Sequence, residues 1–196
     1  MAMTDTVLIE RIGPAEGRAL WAKRAAAVAL GVAILATSAK ISVPMWPVPI
    51  TMGTFAVLTL GAAYGPRLGL ATILLYMAVG AAGVPLFAGE SAGLAYMLGG
   101  TGGYLLGYVL ATVALGLAAR AGWDRSTGGM AAALLAGNAL IYVPGLIWLN
   151  QMPYAEGWSW TLAAGLTPFL LGDAIKLVLA ALLIPAAWKL LGSARG

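Results

Sequence analysis

The stretch Leu170-Leu171-Gly172-Asp173-Ala174-Ile175-Lys176-Leu177-Val178-Leu179 decides how this chain is read. Apart from its two charges it is apolar enough to lie in hydrocarbon. On a helix, positions i and i+3 share a face, so the Asp173 carboxylate and the Lys176 ammonium can meet. A charged side chain at mid-membrane costs about 2.5–3.5 kcal/mol on the insertion scale. Opposite charges on adjacent turns offset part of that cost without explaining why the pair is there. Two readings stand: an ion pair that holds two helices together, or a polar clamp for a solute inside a membrane protein. Intramembrane charges are functional by default, so the clamp is the expectation.

Composition sets the class. Of 196 residues, 61% are hydrophobic and 9% charged, with a mean hydropathy of +0.91. Soluble domains carry about 25% charged residues, so the chain is predicted to be an all-α integral membrane protein. At about 20 residues per span, six helices nearly use up its length as a single transmembrane domain over 1–196. The net charge of +4 and pI of 9.6 point to membrane topology and not to nucleic acid. Neither cysteine nor histidine is present, which excludes disulfides and thiolate chemistry and disfavours a transition-metal site. The polar segment 1–19 does not read as a cleavable signal.

Six apolar segments are expected, at about 20–39, 48–64, 67–86, 103–120, 129–149 and 160–188 by hydropathy. The second is short and the last is long. Pro168 is expected to kink the last helix or to begin its regular part. Counting from a cytoplasmic N-terminus, Arg11, Arg18, Lys23, Arg24, Arg67, Arg120, Arg125, Lys189 and Arg195 share one side. The other side carries Lys40, Glu90 and Glu156. The positive-inside rule then places both termini in the cytoplasm and opens a pocket at Asp173 and Lys176 outward.

The 83–103 connection, from Gly83-Val84-Pro85 through Leu98-Gly99-Gly100-Thr101-Gly102-Gly103, is dense in glycine. It is predicted to be external and to fold into the bundle as a lid, because Leu86, Phe87, Leu94, Tyr96, Met97 and Leu98 are too apolar for a solvated loop. It matches neither a phosphate loop nor a dinucleotide fingerprint. Asn138, mid-span, is either a helix–helix hydrogen-bonding group or a ligand contact. Tyr142, Trp148, Tyr104 and Trp46 are either ligand contacts or members of the interfacial aromatic belt. Ala25, Ala29 and Ala33 form a smooth i+4 stripe for close helix packing, within this bundle or against a partner. No nucleophile–base set or nucleotide-hydrolysis motif is present, so the chain is not expected to be an enzyme.

Several blocks together resemble a known family, the biotin-specific S components (BioY family) of energy-coupling-factor (ECF) transporters. They are Pro47-Val48-Pro49-Ile50-Thr51, Gly83-Val84-Pro85-Leu86-Phe87-Ala88-Gly89, Gly100-Thr101-Gly102-Gly103-Tyr104 with Gly107-Tyr108, and Pro168-Phe169-Leu170-Leu171-Gly172-Asp173-Ala174-Ile175-Lys176. They occur in the family's order from about Lys40 to the end. The resemblance implies a six-helix S-component bundle in a bacterial or archaeal cell membrane. Such a subunit captures biotin from outside, without a cofactor, and works with a transmembrane coupling subunit and two ABC-type ATPases. It further implies substrate contacts at Asp173, Lys176, Ser91, Gly102, Gly103 and Tyr104, and docking on the coupling subunit through Ala25, Ala29 and Ala33. Relatives often carry asparagine at the position of Ser91, proline at Gly100 and glutamine at Gly53. Biotin's ureido ring, thioether ring and carboxylate suit an aspartate, a lysine and apolar walls. The alternative is an ion-coupled secondary transporter of a small carboxylated solute with Asp173 as the ion site. That class often shows internal repeats, and none is visible here.

Overall fold

The computed structural model describes residues 6–193, which are predominantly helical. Residues 1–5 of the expected N-terminal segment, and Arg195 among the expected cytoplasmic cations, lie outside the described residues. The long apolar stretches are α1 (Gly17–Lys40), α2 (Gly53–Ala81), α4 (Gly102–Arg120) and α5 (Thr127–Leu149), with a last one over Trp158–Leu191. A short α3 (Gly93–Met97) lies between α2 and α4.

Two of the six expected spans share α2. Gly65 has φ 76° and ψ 176°, far from helical values, and Pro66 follows it. Glycine adopts that positive φ without steric cost, and proline, lacking an N–H, opens a new helix. The chain folds back there. A Cβ on Gly69 would lie 3.6 Å from the Gly61 Cα, and Thr54 and Tyr76 face one cavity. The arms 53–64 and 66–81 are therefore an antiparallel hairpin, and the bundle makes six passes. The first arm is only about 18 Å long at 1.5 Å per residue. An extended hairpin continues that pass, with β1 (Ser42–Val43) antiparallel to β2 (Ile50–Thr51) and Ser42 opposite Thr51.

The last pass is broken as Pro168 suggested. It comprises α6 (Trp158–Gly165), a 3-10 turn at Thr167–Phe169 and α7 (Leu170–Ser193). Pro168 sits in the turn, and the regular helix begins after it. On α7, Leu171, Ile175, Val178, Leu182 and Leu183 are exposed, whereas Asp173 and Lys176 are buried. One face is thus suited to lipid and the other to the bundle.

Helices in lipid associate by close van der Waals contact, because the tails are as apolar as the helices. Glycines supply that contact here. A Cβ on Gly107 of α4 would stand 2.6 Å from the Ile141 Cα of α5, and one on Gly61 would stand 2.9 Å from the Thr112 carbonyl oxygen of α4. α1 packs on α2 through Ala27, Gly31 and Leu35, with the Tyr64 hydroxyl donating to the Ala27 carbonyl at 2.9 Å. The neighbouring stripe of Ala25, Ala29 and Ala33 is exposed. It is not the face of α1 that packs within this bundle.

The two ends of the bundle differ in charge. At the end holding the N-terminal segment, Arg120 pairs with Glu10 at 2.8 Å and the Arg125 guanidinium lies 3.5 Å from the centre of the Trp188 ring. The Trp188 indole N–H donates to the buried Asp124 carboxylate at 2.6 Å. Burial pushes that carboxyl above its usual range, although Trp188 and Arg125 pull the other way. At the opposite end Lys40 donates to the Gly89 carbonyl, with Glu90 at 3.9 Å.

The Gly107 contact is with backbone, which cannot swing aside. Gly107→Ala should destabilise the bundle by about 1–3 kcal/mol, the usual range for overpacking. A lowered unfolding midpoint in detergent checks it. Gly128→Ala, where a Cβ meets nothing within 4 Å, should leave the midpoint unchanged.

Candidate solute-binding site

α7 carries the two charges into the bundle just after the Pro168 turn. Asp173 and Lys176 are 6% and 8% exposed, and their Oδ1 and Nζ atoms are 3.0 Å apart. The pair is part of a larger polar set. Lys176 Nζ also donates to the Thr51 carbonyl at 2.7 Å and to Thr54 Oγ1 at 3.1 Å. All three donors of the ammonium are therefore engaged. The Tyr142 hydroxyl donates a short hydrogen bond to Asp173 Oδ2, and the Thr54 hydroxyl reaches Oδ1 at 3.5 Å. The partners come from two other passes: Thr51 on β2 and Thr54 at the start of α2 from one, Tyr142 on α5 from the other.

Irregular backbone is tolerated at membrane depth only where it is buried in protein or lines a cavity. The Thr51 carbonyl is such a case. Lys176 forms part of the wall of a cavity of about 680 Å³, its open mouth included. Ligand pockets have mostly apolar walls and a few placed polar groups. This cavity fits that description: Leu35, Val48, Leu105, Ile141 and Phe169 supply apolar surface, and Tyr76, Tyr96, Tyr104 and Tyr108 supply aromatic surface. Gly53 leaves room for the Tyr108 hydroxyl, which would lie 3.0 Å from a Cβ there.

The glycine-rich 83–103 segment forms part of the wall of this cavity through Phe87, Ala88, Tyr96 and Thr101. Phe87 is 1% exposed, stacked on Tyr96 with centroids 4.9 Å apart and set edge-on to Tyr76 at 5.5 Å. Its ring fills the space where Gly80 lacks a side chain. Further bonds hold the segment down: Tyr76 hydroxyl to the Leu86 carbonyl at 3.2 Å, and Trp148 indole N–H to the Gly99 carbonyl at 2.9 Å.

Of the residues singled out in the sequence, Lys176 and Tyr104 lie on the cavity wall and Asp173 is bonded to Lys176. The Tyr104 hydroxyl is taken up by the Gly165 carbonyl at 2.8 Å, so its ring faces the cavity with its donor spent. Ser91 lies in the covering segment, its backbone paired with Phe87 and Ala88, and is not on the wall. Gly102 and Gly103 are not on the wall either: they let α4 approach Trp148 and Gly145 of α5, each within 2.9 Å of a Cβ. Asn138 is half-buried on α5 away from the cavity, and its Oδ1 is buried without a hydrogen-bond partner.

Sequence reasoning missed Thr51, Thr54, Tyr76 and Tyr108, and it left Tyr142 between ligand contact and belt. One signal was available. Tyr104 and Tyr108 are spaced i, i+4 on one helix and share a face.

Comparison with known proteins agrees with this architecture. The model of the BioY family matches residues 10–193. A probable biotin transporter BioY of Pyrococcus horikoshii is 38% identical over 155 residues, covering 79% of this chain and 90% of the relative. The biotin transporter BioY of Thermotoga maritima is 35% identical, covering 77% and 87%. The crystal structure of the S-component for biotin from an ECF-type ABC transporter superposes with a TM-score of 0.75 over 89% of this chain and 95% of that one. At 23% identity that likeness speaks to the fold. A family match over nearly the whole chain, with relatives this similar over most of their length, shows that this chain belongs to the BioY family.

Proposed function

We propose that this protein is the biotin-capturing membrane subunit of an ECF-type uptake transporter. One observation carries the reading: a buried carboxylate–ammonium pair stands at the wall of an aromatic-lined cavity. Biotin has two ureido N–H donors, a carbonyl, an apolar thioether ring and a carboxylate. The pair offers an acceptor and a donor, and the tyrosine and aliphatic walls suit the rings. Because the ammonium already has three partners, a ligand carbonyl or carboxylate takes the place of one of them. The names of relatives from Pyrococcus and Thermotoga support the same ligand.

The segregated charges support an orientation with both termini in the cytoplasm. Arg67, Arg120 and Arg125 sit at the end opposite Lys40 and Glu90, which matches the positive-inside rule. The cavity then opens outward beneath the covering segment. No ATPase module is part of this chain, and the exposed Ala25, Ala29 and Ala33 stripe offers a smooth face for a coupling subunit that works with ABC-type ATPases.

Asp173→Asn and Lys176→Met should each weaken biotin binding at least tenfold. A charge-assisted hydrogen bond contributes about 1.5–3 kcal/mol, and about 1.4 kcal/mol is a factor of ten. Calorimetry on detergent-purified variants checks this, with helical content confirming that they remain folded. Unchanged affinity in both would leave only a structural ion pair.

Biotin should slow backbone hydrogen exchange across residues 83–103 relative to the free protein. Equal exchange in the two states would make the segment an ordinary surface loop.

Ala29→Trp or Ala33→Trp should abolish biotin uptake by the assembled transporter, because a large ring holds a partner helix away. Binding to the isolated subunit should stay within about twofold, a free-energy change under 0.5 kcal/mol. Loss of binding and of expression together would place the docking face elsewhere.

A further inference from the structure

A second hollow lies far from the solute cavity, between α1 and the second arm of α2, and encloses about 1460 Å³ with its open side counted. We propose that in the subunit on its own it binds an anionic phospholipid, a role that goes beyond solute capture and does not depend on it. Ala25 and Ala29 of the face offered to the coupling subunit line the hollow, so lipid and partner exclude one another there. Its mouth and its walls differ in character. Lys23, Arg24, Arg67 and Arg120 stand at the mouth with one carboxylate, Glu10. Val28, Ala29, Ala71 and Leu75 line the hollow beyond them.

The dimensions suit a lipid. α1 and the second arm of α2 run in the same direction from the charged end. Arg24 to Ala29 advances about 8 Å and Arg67 to Leu75 about 12 Å at 1.5 Å per residue. A phosphate at the mouth therefore has an apolar trough of about that length for the start of its acyl chain, with Ala29 and Ala71 leaving room between the helices.

Charge identifies the headgroup class. Glu10 is engaged by Arg120 at 2.8 Å, and the Lys23 ammonium reaches only the Pro14 carbonyl, at 3.3 Å. The Arg24 guanidinium lies 5.3 Å from the centre of the Trp21 ring, a cation–π contact, and makes no ion pair among the described residues. Arg67 is exposed at the same mouth and makes no ion pair among the described residues. In the subunit on its own these cations call for a counter-charge at the mouth. A phosphodiester with a net negative headgroup supplies it, and guanidinium groups bind phosphate oxygens in a planar fork. Basic residues at the ends of spans meet anionic lipid in just this position.

The test is native mass spectrometry of the full-length protein from micelles containing equal phosphatidylglycerol and phosphatidylcholine. Phosphatidylglycerol should be retained at least tenfold over phosphatidylcholine. Arg24→Ala with Arg67→Ala should lower that retention at least tenfold while biotin binding is unchanged. Arg18→Ala, on the same helix end but outside the hollow, should retain phosphatidylglycerol like the parent. Millimolar glycerol 3-phosphate, which has the headgroup chemistry without chains, should not displace the lipid. Equal retention of the two lipids, or an Arg18→Ala loss as large as the double variant's, overturns the proposal. Displacement by glycerol 3-phosphate overturns it in favour of a soluble phosphate site. Failure to retain phosphatidylglycerol, with the double variant losing the coupling subunit on purification, assigns the hollow to a partner helix instead.

Discussion

Two charges in a membrane interior must be satisfied by the protein around them, and the architecture near Asp173 and Lys176 follows from that demand. Breaking a buried pair by removing one partner typically costs about 3–5 kcal/mol, because the remaining charge is stranded. The pair therefore needs neighbours with oxygen and hydroxyl groups at fixed positions. Thr51, Thr54 and Tyr142 provide them from two other passes. Recruiting the Thr51 carbonyl requires backbone outside a helix at that level. The short extended hairpin before α2 supplies it, which is why that pass has an abbreviated helical arm.

Helix packing delivers these groups to one place. α4 approaches its neighbours on both sides through small residues, Gly107 toward α5 and Gly116 toward the Gly65–Pro66 turn. Close approach of backbones makes the core narrow and stiff. Rigid walls with a few fixed polar groups make a preorganised site, which reduces the ordering a ligand must bring about on binding.

The features legible in the sequence were those with a large energetic contrast. A charge among leucines stands out, so Asp173 and Lys176 were identified directly. Spans stand out for the same reason, and Tyr64-Gly65-Pro66-Arg67 and Pro168 marked breaks that the structure contains. The hydroxyl partners were not legible. Threonine and tyrosine in a span satisfy themselves along the helix or belong to the aromatic belt, and only the fold shows Thr54 and Tyr142 converging on a carboxylate. On α1 the sequence held two faces with small residues, Ala25/Ala29/Ala33 and Ala27/Gly31. Choosing between them required the position of Thr72 and Tyr64 on α2, against which Gly31 packs. Gly102 and Gly103 illustrate the converse: a motif noted for a ligand role coincides with the closest approach of α4 to α5.

Phe87 has a consequence for time as well as for shape. Its ring is wedged between Tyr76 and Tyr96 and over Gly80, while the pair that grips a solute lies on another element. Lifting the covering segment would require that ring to be extracted, whatever the strength of a solute's own contacts. On that route residence time and affinity would be set by different residues. A subunit built this way can hold a scarce solute long enough to meet a partner without having to bind it so tightly that release becomes impossible.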